Sequence, residues 1–398
     1  MTVLSSGSTR HSSRYSPADC RLQDLEAVLA QPLDLADHPH AAEVAQGVLL
    51  YDGDSLRGCL RSPAERRSVA DELARALSDG PGLVVLRGAF ADTEVVDQAS
   101  ALFTAMIDAQ HASGAVAGDH FAKPGANDRV WNTLEKLAHA RPDVFVTYYA
   151  NELLALACEA WLGPYYQVTS TVNVVNPGGA AQTGHRDYHL GFVSTEVAAE
   201  FPALAHRLSP ALTLQGAVAH CDMPVETGPT TYLPGSQRYE RGYLAWRQPE
   251  FLAYYEEHKV QLPLQKGDAV FFNPALFHAA GHNRSAATKR MANLLQISSA
   301  FGRAMESVDR EGMCNVVYPA LRALRAGGAS AGELAAVVAA TAEGYAFPTN
   351  LDLDQPVGGL VPDTQAVLLS RAIAEDWAPE TLRAHLADHS AKRVTAVS

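Results

Sequence analysis

His185 and Asp187 lie two residues apart, and a third candidate ligand, His278, stands far along the chain; this trio constrains the fold more than any other feature. Side chains on an extended strand alternate with a period of two, so His185 and Asp187 face the same way. If His278 is to meet them, the chain between must leave and return, and the gap has room for several strands to do so.

Two imidazoles and one carboxylate close one triangular face of an octahedral metal and leave the other open. That is the ligand set of non-haem Fe(II) oxygenases, where co-substrate, O₂ and substrate need the open face. Fifteen histidines make a chance H-x-D triplet a standing alternative. His185-Arg186-Asp187 also spells the start of a kinase catalytic loop. That loop needs an Asn five residues after the Asp, where this chain has Phe192, and the chain has no D-F-G. His282 is the rival third ligand, but a helical zinc motif needs Glu after the first His, and Ala279 stands there. His282 adjoins Asn283-Arg284-Ser285, a polar turn, so His278 is preferred.

The flanking sequence supplies the strands. Gln167–Val175 is β-branched and alternating, and Asn176-Pro177-Gly178-Gly179 breaks it before the triplet, where a second strand is expected. Lys266-Gly267-Asp268 reads as a turn into the short buried strand Ala269–Phe272. Thr288 to Ser298 reads as another strand, and Arg290 opens it. A dicarboxylate that chelates iron at one end needs a buried cation at the other, and the arginine fork suits a carboxylate. Lys289 points to the opposite face of that strand from Arg290.

The net charge of −13 gives no basic footprint for nucleic acid, and no Lys/Arg block suggests a membrane surface. No run of about 18 apolar residues suggests a spanning helix. The five cysteines are scattered, with no C-x-x-C pair, which points to free thiols in a reduced, cytoplasmic setting. Asn283-Arg284-Ser285 matches a glycosylation acceptor and is discounted on that ground. The amino terminus lacks the apolar stretch of a signal peptide.

Residues 1–20 are expected to be disordered. Ser62–Ser78 has helical spacing with Pro63 in its first turn, Gly82–Gly88 is a buried strand, and Asp92 caps a helix to about His111. Residues 119–138 are either a surface turn or a loop over the site, with Trp131 a candidate pocket residue. After about residue 301 the chain turns Ala-rich and helical. Helices are expected near Ser330–Glu343 and Pro379–Ala391, separated by an irregular Tyr345–Pro362.

Three ordered stretches resemble the phytanoyl-CoA dioxygenase family of Fe(II)/2-oxoglutarate oxygenases: Gly184–His189, Glu226–Gln237 and Gly267 through His278 to Arg290. The resemblance implies a mainly β fold with packed helices, built on a double-stranded β-helix (jelly-roll, cupin-like) core over residues 21–300. The helical extension, 301–398, exceeds the usual family core and is expected to be scaffold or the arm of a homodimer rather than a lid. It implies Fe(II) on His185, Asp187 and His278, 2-oxoglutarate as co-substrate with its distal carboxylate on Arg290, and O₂ as oxidant. Asn173 is either a further co-substrate contact or a packed polar strand residue. Ala280 departs from the small hydroxyl the family often carries there, and Gln237 replaces a histidine and is read as structural. The expected function is oxidation of a small molecule, hydroxylation by default, with Tyr188, His189, Arg186 and Trp131 as candidate pocket residues. Desaturation, ring formation or C–P/C–N oxidation are alternative outcomes, and a non-catalytic ligand-binding jelly roll is the alternative class.

Overall fold

The computed structural model describes residues 13–114 and 125–395. Its frame is an eight-stranded mixed sheet of β1 (Glu43–Ala45), β2 (Val48–Asp52), β3 (Leu83–Arg87), β4 (Asn127–Val130), β5 (Gln167–Val175), β6 (Thr213–Ala219), β9 (Ala269–Phe272) and β11 (Arg290–Ser298). The spatial order is β1-β2-β3-β9-β6-β11-β5-β4. β2 and β3 pair parallel; every other neighbour in this sheet pairs antiparallel. A second sheet holds β7 (Thr231–Tyr232), β8 (Val260–Gln261) and β10 (His278–Ala279), in the order β10-β7-β8.

Strand alternation sorts the large sheet into two faces. Val84 and Leu86, Ala269 and Phe271, and Leu295 and Ile297 enter one large core with the surrounding helices. Val48, Leu50, Val85, Val270 and Phe272 point the other way and pack against Tyr232, Leu262 and Leu276 of the second sheet and its flanks. The small sheet therefore covers one end of that face. The far end, around β6, β11 and β5, is left open as a cavity.

The helices follow ordinary rules. Pro63–Ser78 starts on the Ser62 cap with Pro at its first position, and Asp92 accepts from the Glu94 amide to start Glu94–Ala112. Ala331–Thr341 carries a full capping box from Ser330 and Glu333. The turn before β9 uses Gly267 at φ +90°, and Asp268 clamps it by accepting from the Gly88 and Gln265 amides. The carboxy-terminal helices Arg310–Ala326, Ala331–Thr341, Gln365–Glu375 and Pro379–Ala391 contribute Val317, Tyr318, Val337, Leu369 and Leu386 to the large core. Buried Arg310 ties them to the sheet by donating to the Val168 carbonyl (2.6 Å) and the Ala340 carbonyl (2.9 Å).

Three local expectations change. Residues 1–12 lie outside the described residues, but Tyr15 bonds Glu240, Pro17–Asp19 is a short 3-10 turn and Cys20 is buried. Within 119–138, residues 119–124 lie outside the described residues; most of the remainder is β4, which pairs with β5, and the helix Thr133–Ala140, with Trp131 in the short link between them. The strand expected at the metal triplet shrinks to one bridge between His185 and His278. Two consecutive non-glycine residues at positive φ, Tyr188 (61°) and His189 (41°), turn the chain away at once.

Behind the sheet a fully buried imidazole, His220, bonds Ser100 Oγ through Nδ1 (2.8 Å) and the Tyr148 hydroxyl through Nε2 (3.0 Å). Desolvation pushes its pKa down to about 3. The unfolded chain, with a histidine near 6.5, therefore binds the extra proton first as pH falls. Its contribution to stability is complete above about pH 6.5 and is lost progressively as pH drops toward about 3. Thermal melts from pH 7 to 4 should fall less steeply for His220→Gln than for the parent chain. Parallel slopes would show that His220 is not a stability-linked group.

Candidate active site

The site begins with a reciprocal backbone pair. The His185 amide donates to the His278 carbonyl (2.9 Å), and the His278 amide donates back to His185 (3.0 Å). Such a doubly bonded antiparallel pair holds two residues directly opposite, with side chains on one face. The imidazole centroids are 4.5 Å apart. His185 Nε2 is 3.5 Å from Asp187 Oδ1, and His278 Nε2 is 3.4 Å from Asp187 Oδ2. One ligand atom from each of the three lies within 4.8 Å of the others, the one such group of three or more His, Cys, Asp or Glu among the described residues.

Each imidazole is held by its far nitrogen. His185 Nδ1 sits 2.8 Å from the Thr183 carbonyl and His278 Nδ1 2.9 Å from the Leu276 carbonyl. A carbonyl only accepts, so both Nδ1 atoms carry the hydrogen and both Nε2 lone pairs face Asp187. Gln215 Nε2 donates to Asp187 Oδ2 at 2.6 Å. Burial opposes charge on Asp187; positive charge on the two imidazoles, when they are protonated, and the Gln215 hydrogen bond outweigh it and hold the carboxyl well below the usual range. Burial lowers the His185 pKa, with Asp187 acting against it, so the neutral, ligating form is favoured. This donor set suits a first-row divalent metal.

Arg186, between the two candidate ligands, has another task. Its guanidinium is buried between the rings of Phe277 (4.8 Å) and Tyr243 (5.2 Å) and donates to the carbonyls of Ser236 and Tyr239. Desolvation pulls its pKa down to about 10. Tyr243 returns to the triplet by donating to the Asp187 carbonyl at 3.3 Å. Room for Arg186 exists because residue 242 is glycine: a Cβ there would sit 1.9 Å from Arg186 Cζ.

The cluster opens into a cavity of about 710 Å³ that also includes Arg290, Asn173, Trp131 and Trp246 in its walls. Arg290 is 5% exposed, and its side chain makes no hydrogen bond or ion pair with any described residue; its Nε is enclosed without an acceptor. Burial draws its pKa down to about 10. A buried cation without a partner is costly, and an anion at this point of the cavity would offset that cost. Asn173 also lines the cavity, and its Oδ1 accepts from Asn127 Nδ2 at 3.3 Å.

The remaining candidates separate cleanly. Trp131 lines the cavity, with the Arg129 guanidinium 4.9 Å above its ring. Tyr188 and His189 are not among its walls: Tyr188 is buried, and His189 Nδ1 bonds Ser209. Arg186 forms part of the wall, but its guanidinium is spent on Ser236 and Tyr239. His282, Arg284 and Lys289 are exposed. Gln237 donates to the carbonyls of Ser78 and Gly80, and buried Asn283 donates to Val175 and Thr288. Sequence reasoning missed Gln215, whose signal was a polar residue inside an apolar strand. It also missed Trp246, whose indole stands 6.4 Å from the His185 ring.

Fold and site together define a protein with a His-Asp-His cluster at the open end of a mixed sheet. The sequence matches phytanoyl-CoA dioxygenase (PhyH) over residues 78–292, more than half its length. The chain belongs to the phytanoyl-CoA dioxygenase family. It is 29% identical over 137 residues to the dioxygenase andF of Emericella variicolor, covering 33% of this chain and 42% of that protein. It is 30% identical over 128 residues to the dioxygenase olcK of Penicillium canescens, covering 32% and 37%. The matches thus span less than half of these curated relatives. Among solved structures, the non-haem α-ketoglutarate-dependent epimerase SnoN of nogalamycin biosynthesis superposes with a TM-score of 0.40 at 21% identity, covering 60% of this chain and 85% of that one.

Gly242→Ala should lower the free energy of unfolding by about 3 kcal/mol or more, because the new Cβ displaces a buried charge from its acceptors. Gly58→Ala, in a helix with open space around it, should stay within about 1 kcal/mol of the parent or stabilise it. Urea denaturation of both variants measures the contrast.

Proposed function

We propose that this protein is an Fe(II)- and 2-oxoglutarate-dependent dioxygenase acting on a small molecule. His185, Asp187 and His278 would hold the iron, Arg290 the distal carboxylate of 2-oxoglutarate, and Asn173 would stand beside it. One observation carries the reading: a single cavity contains both a three-ligand cluster within 4.8 Å and a buried, partnerless arginine. A dicarboxylic oxo acid fits that pairing, because one end chelates a metal and the other needs a cation. When bound, iron and the oxo acid supply the oxidising chemistry, with O₂ consumed and succinate and CO₂ released.

The chain's own residues bind and orient. The Thr183 and Leu276 carbonyls fix both imidazoles with Nε2 inward, and Gln215 fixes the carboxylate plane. Phe272, Ala292 and Leu294 give the cavity apolar walls, which strengthen the pull of Arg290 on an anion. Because Asp187 fills the third ligand position, hydroxylation of a C–H bond is the default outcome rather than halogenation. Trp131, Trp246 and Phe192 form the aromatic part of the wall available to the substrate.

The double-stranded β-helix belongs to the same proposal. Its support is the small sheet lying over the large one, with Tyr232 edge-on to Phe272 at 5.3 Å. We assign residues 21–300 to the oxygenase unit and 301–398 to scaffold, since the latter shares the large core. No helix among the described residues is long and apolar enough to cross a membrane. A cytoplasmic location is supported by five unpaired cysteines, none of them exposed.

The test is oxo-acid turnover. The parent chain with Fe(II), 2-oxoglutarate and O₂ should release succinate, and Asp187→Ala should not while keeping its circular dichroism spectrum. Arg290→Ala should raise the apparent dissociation constant for 2-oxoglutarate at least about 30-fold, whereas Arg284→Ala should leave it unchanged. A parent protein that releases no succinate, or an Asp187→Ala variant that matches it, contradicts the proposal.

A further inference from the structure

The arginine alone does not complete a carboxylate site. A carboxylate offers about four lone-pair directions, and a bidentate guanidinium takes two. Buried acceptors left unmet are costly, so further donors are needed. Residue 280 is Ala and offers no side-chain hydroxyl.

The second sheet supplies one from another position. β10 pairs with β7 so that His278 lies opposite Tyr232 and Ala279 opposite Thr231. Directly opposed residues of an antiparallel pair point to one face, so Tyr232 shares the face of His278. Its ring packs edge-on against Phe272, which in turn lies 4.8 Å from the His278 ring. Buried Tyr232 and Arg290 both line one small apolar hollow with Thr230, close enough that each perturbs the other's ionisation. Thr230 and Arg290 also line the main cavity, so the hollow adjoins it at the arginine. The Thr230 hydroxyl neighbours the Tyr232 phenol, and either oxygen of such a pair can donate. With threonine as the donor the phenolic hydrogen is left for a ligand, and the Tyr232 hydroxyl makes no hydrogen bond to any other described residue.

We propose that Tyr232, oriented by Thr230, donates to the same distal carboxylate as Arg290 and takes the place of the hydroxyl missing at position 280. This rests on the 2-oxoglutarate reading above. Tyr232 is thus a co-substrate-binding residue, and Thr230 a positioning residue that acts through it. The arrangement places a metal ligand and a co-substrate donor opposite each other on two paired strands, His278 on one and Tyr232 on the other.

The test is anaerobic titration of the Fe(II)-loaded protein, reading the iron-to-oxo-acid absorption band rather than turnover. Two probes are used: 2-oxoglutarate, and 2-oxobutanoate, which has the same chelating end but no distal carboxylate. Tyr232→Phe should weaken 2-oxoglutarate roughly tenfold and leave 2-oxobutanoate unchanged. Thr230→Val should weaken 2-oxoglutarate by a smaller factor, about two- to threefold, again sparing 2-oxobutanoate. Equal affinity of Tyr232→Phe and parent for 2-oxoglutarate overturns the assignment. So does an equal loss for both oxo acids, which would mean that the phenol only supports His278. A parent protein that gives no band with either probe instead overturns the 2-oxoglutarate reading itself, and this assignment falls with it.

Discussion

The reciprocal hydrogen bonds between His185 and His278 are the constraint from which the site follows. They join the triplet segment to the edge of the small sheet and set two imidazoles opposite each other. With the strands in that register, Asp187 reaches both Nε2 atoms, and Gln215 on β6 meets the carboxylate from the large sheet. The same register puts Tyr232 beside His278. A one-residue slip would turn each of these side chains to the opposite face, because strand alternation has a period of two.

Three buried arginines show how charge is used in the interior. Arg186 and Arg310 each donate to two backbone carbonyls, Ser236 and Tyr239 for the first and Val168 and Ala340 for the second, although Arg186 Nε stays without an acceptor. They act as internal ties, one bracing the candidate ligands and one holding the carboxy-terminal helices to β5. Arg290 is as deeply placed, yet it makes no such bonds. The contrast is the physical argument for an anionic ligand: each structural guanidinium has two backbone acceptors, whereas this one, facing a cavity, has none among the described residues.

Much of this was legible in the sequence where local pattern and tertiary need agree. The β-branched run 167–175, the turn at Gly267 and the strand opened by Arg290 all appear where expected, and family membership agrees with the three motif stretches. His185, Asp187 and His278 converge, and Arg290 and Asn173 line the same cavity. What sequence hid depended on long-range partners. Tyr188 and His189 take positive φ although neither is glycine, so no local signal warned that the second strand would stop. Arg186 looked like a pocket residue because it lies between two ligands; the aromatic slot and the glycine at 242 that accept it come from another part of the chain. Residues 127–130 have little strand character and pair only because β5 offers an edge. That Tyr232 lies opposite His278 became visible only when the register of β7 against β10 was known.

The most direct test of the account is where iron binds. Crystals of the protein loaded anaerobically with Fe(II) should give one anomalous difference peak per chain at the iron edge. By analogy with other first-row metal sites, it should lie about 2.0–2.2 Å from His185 Nε2, His278 Nε2 and an Asp187 carboxylate oxygen. A peak bonded to His282, or no peak between these three side chains in fully loaded protein, would contradict the account.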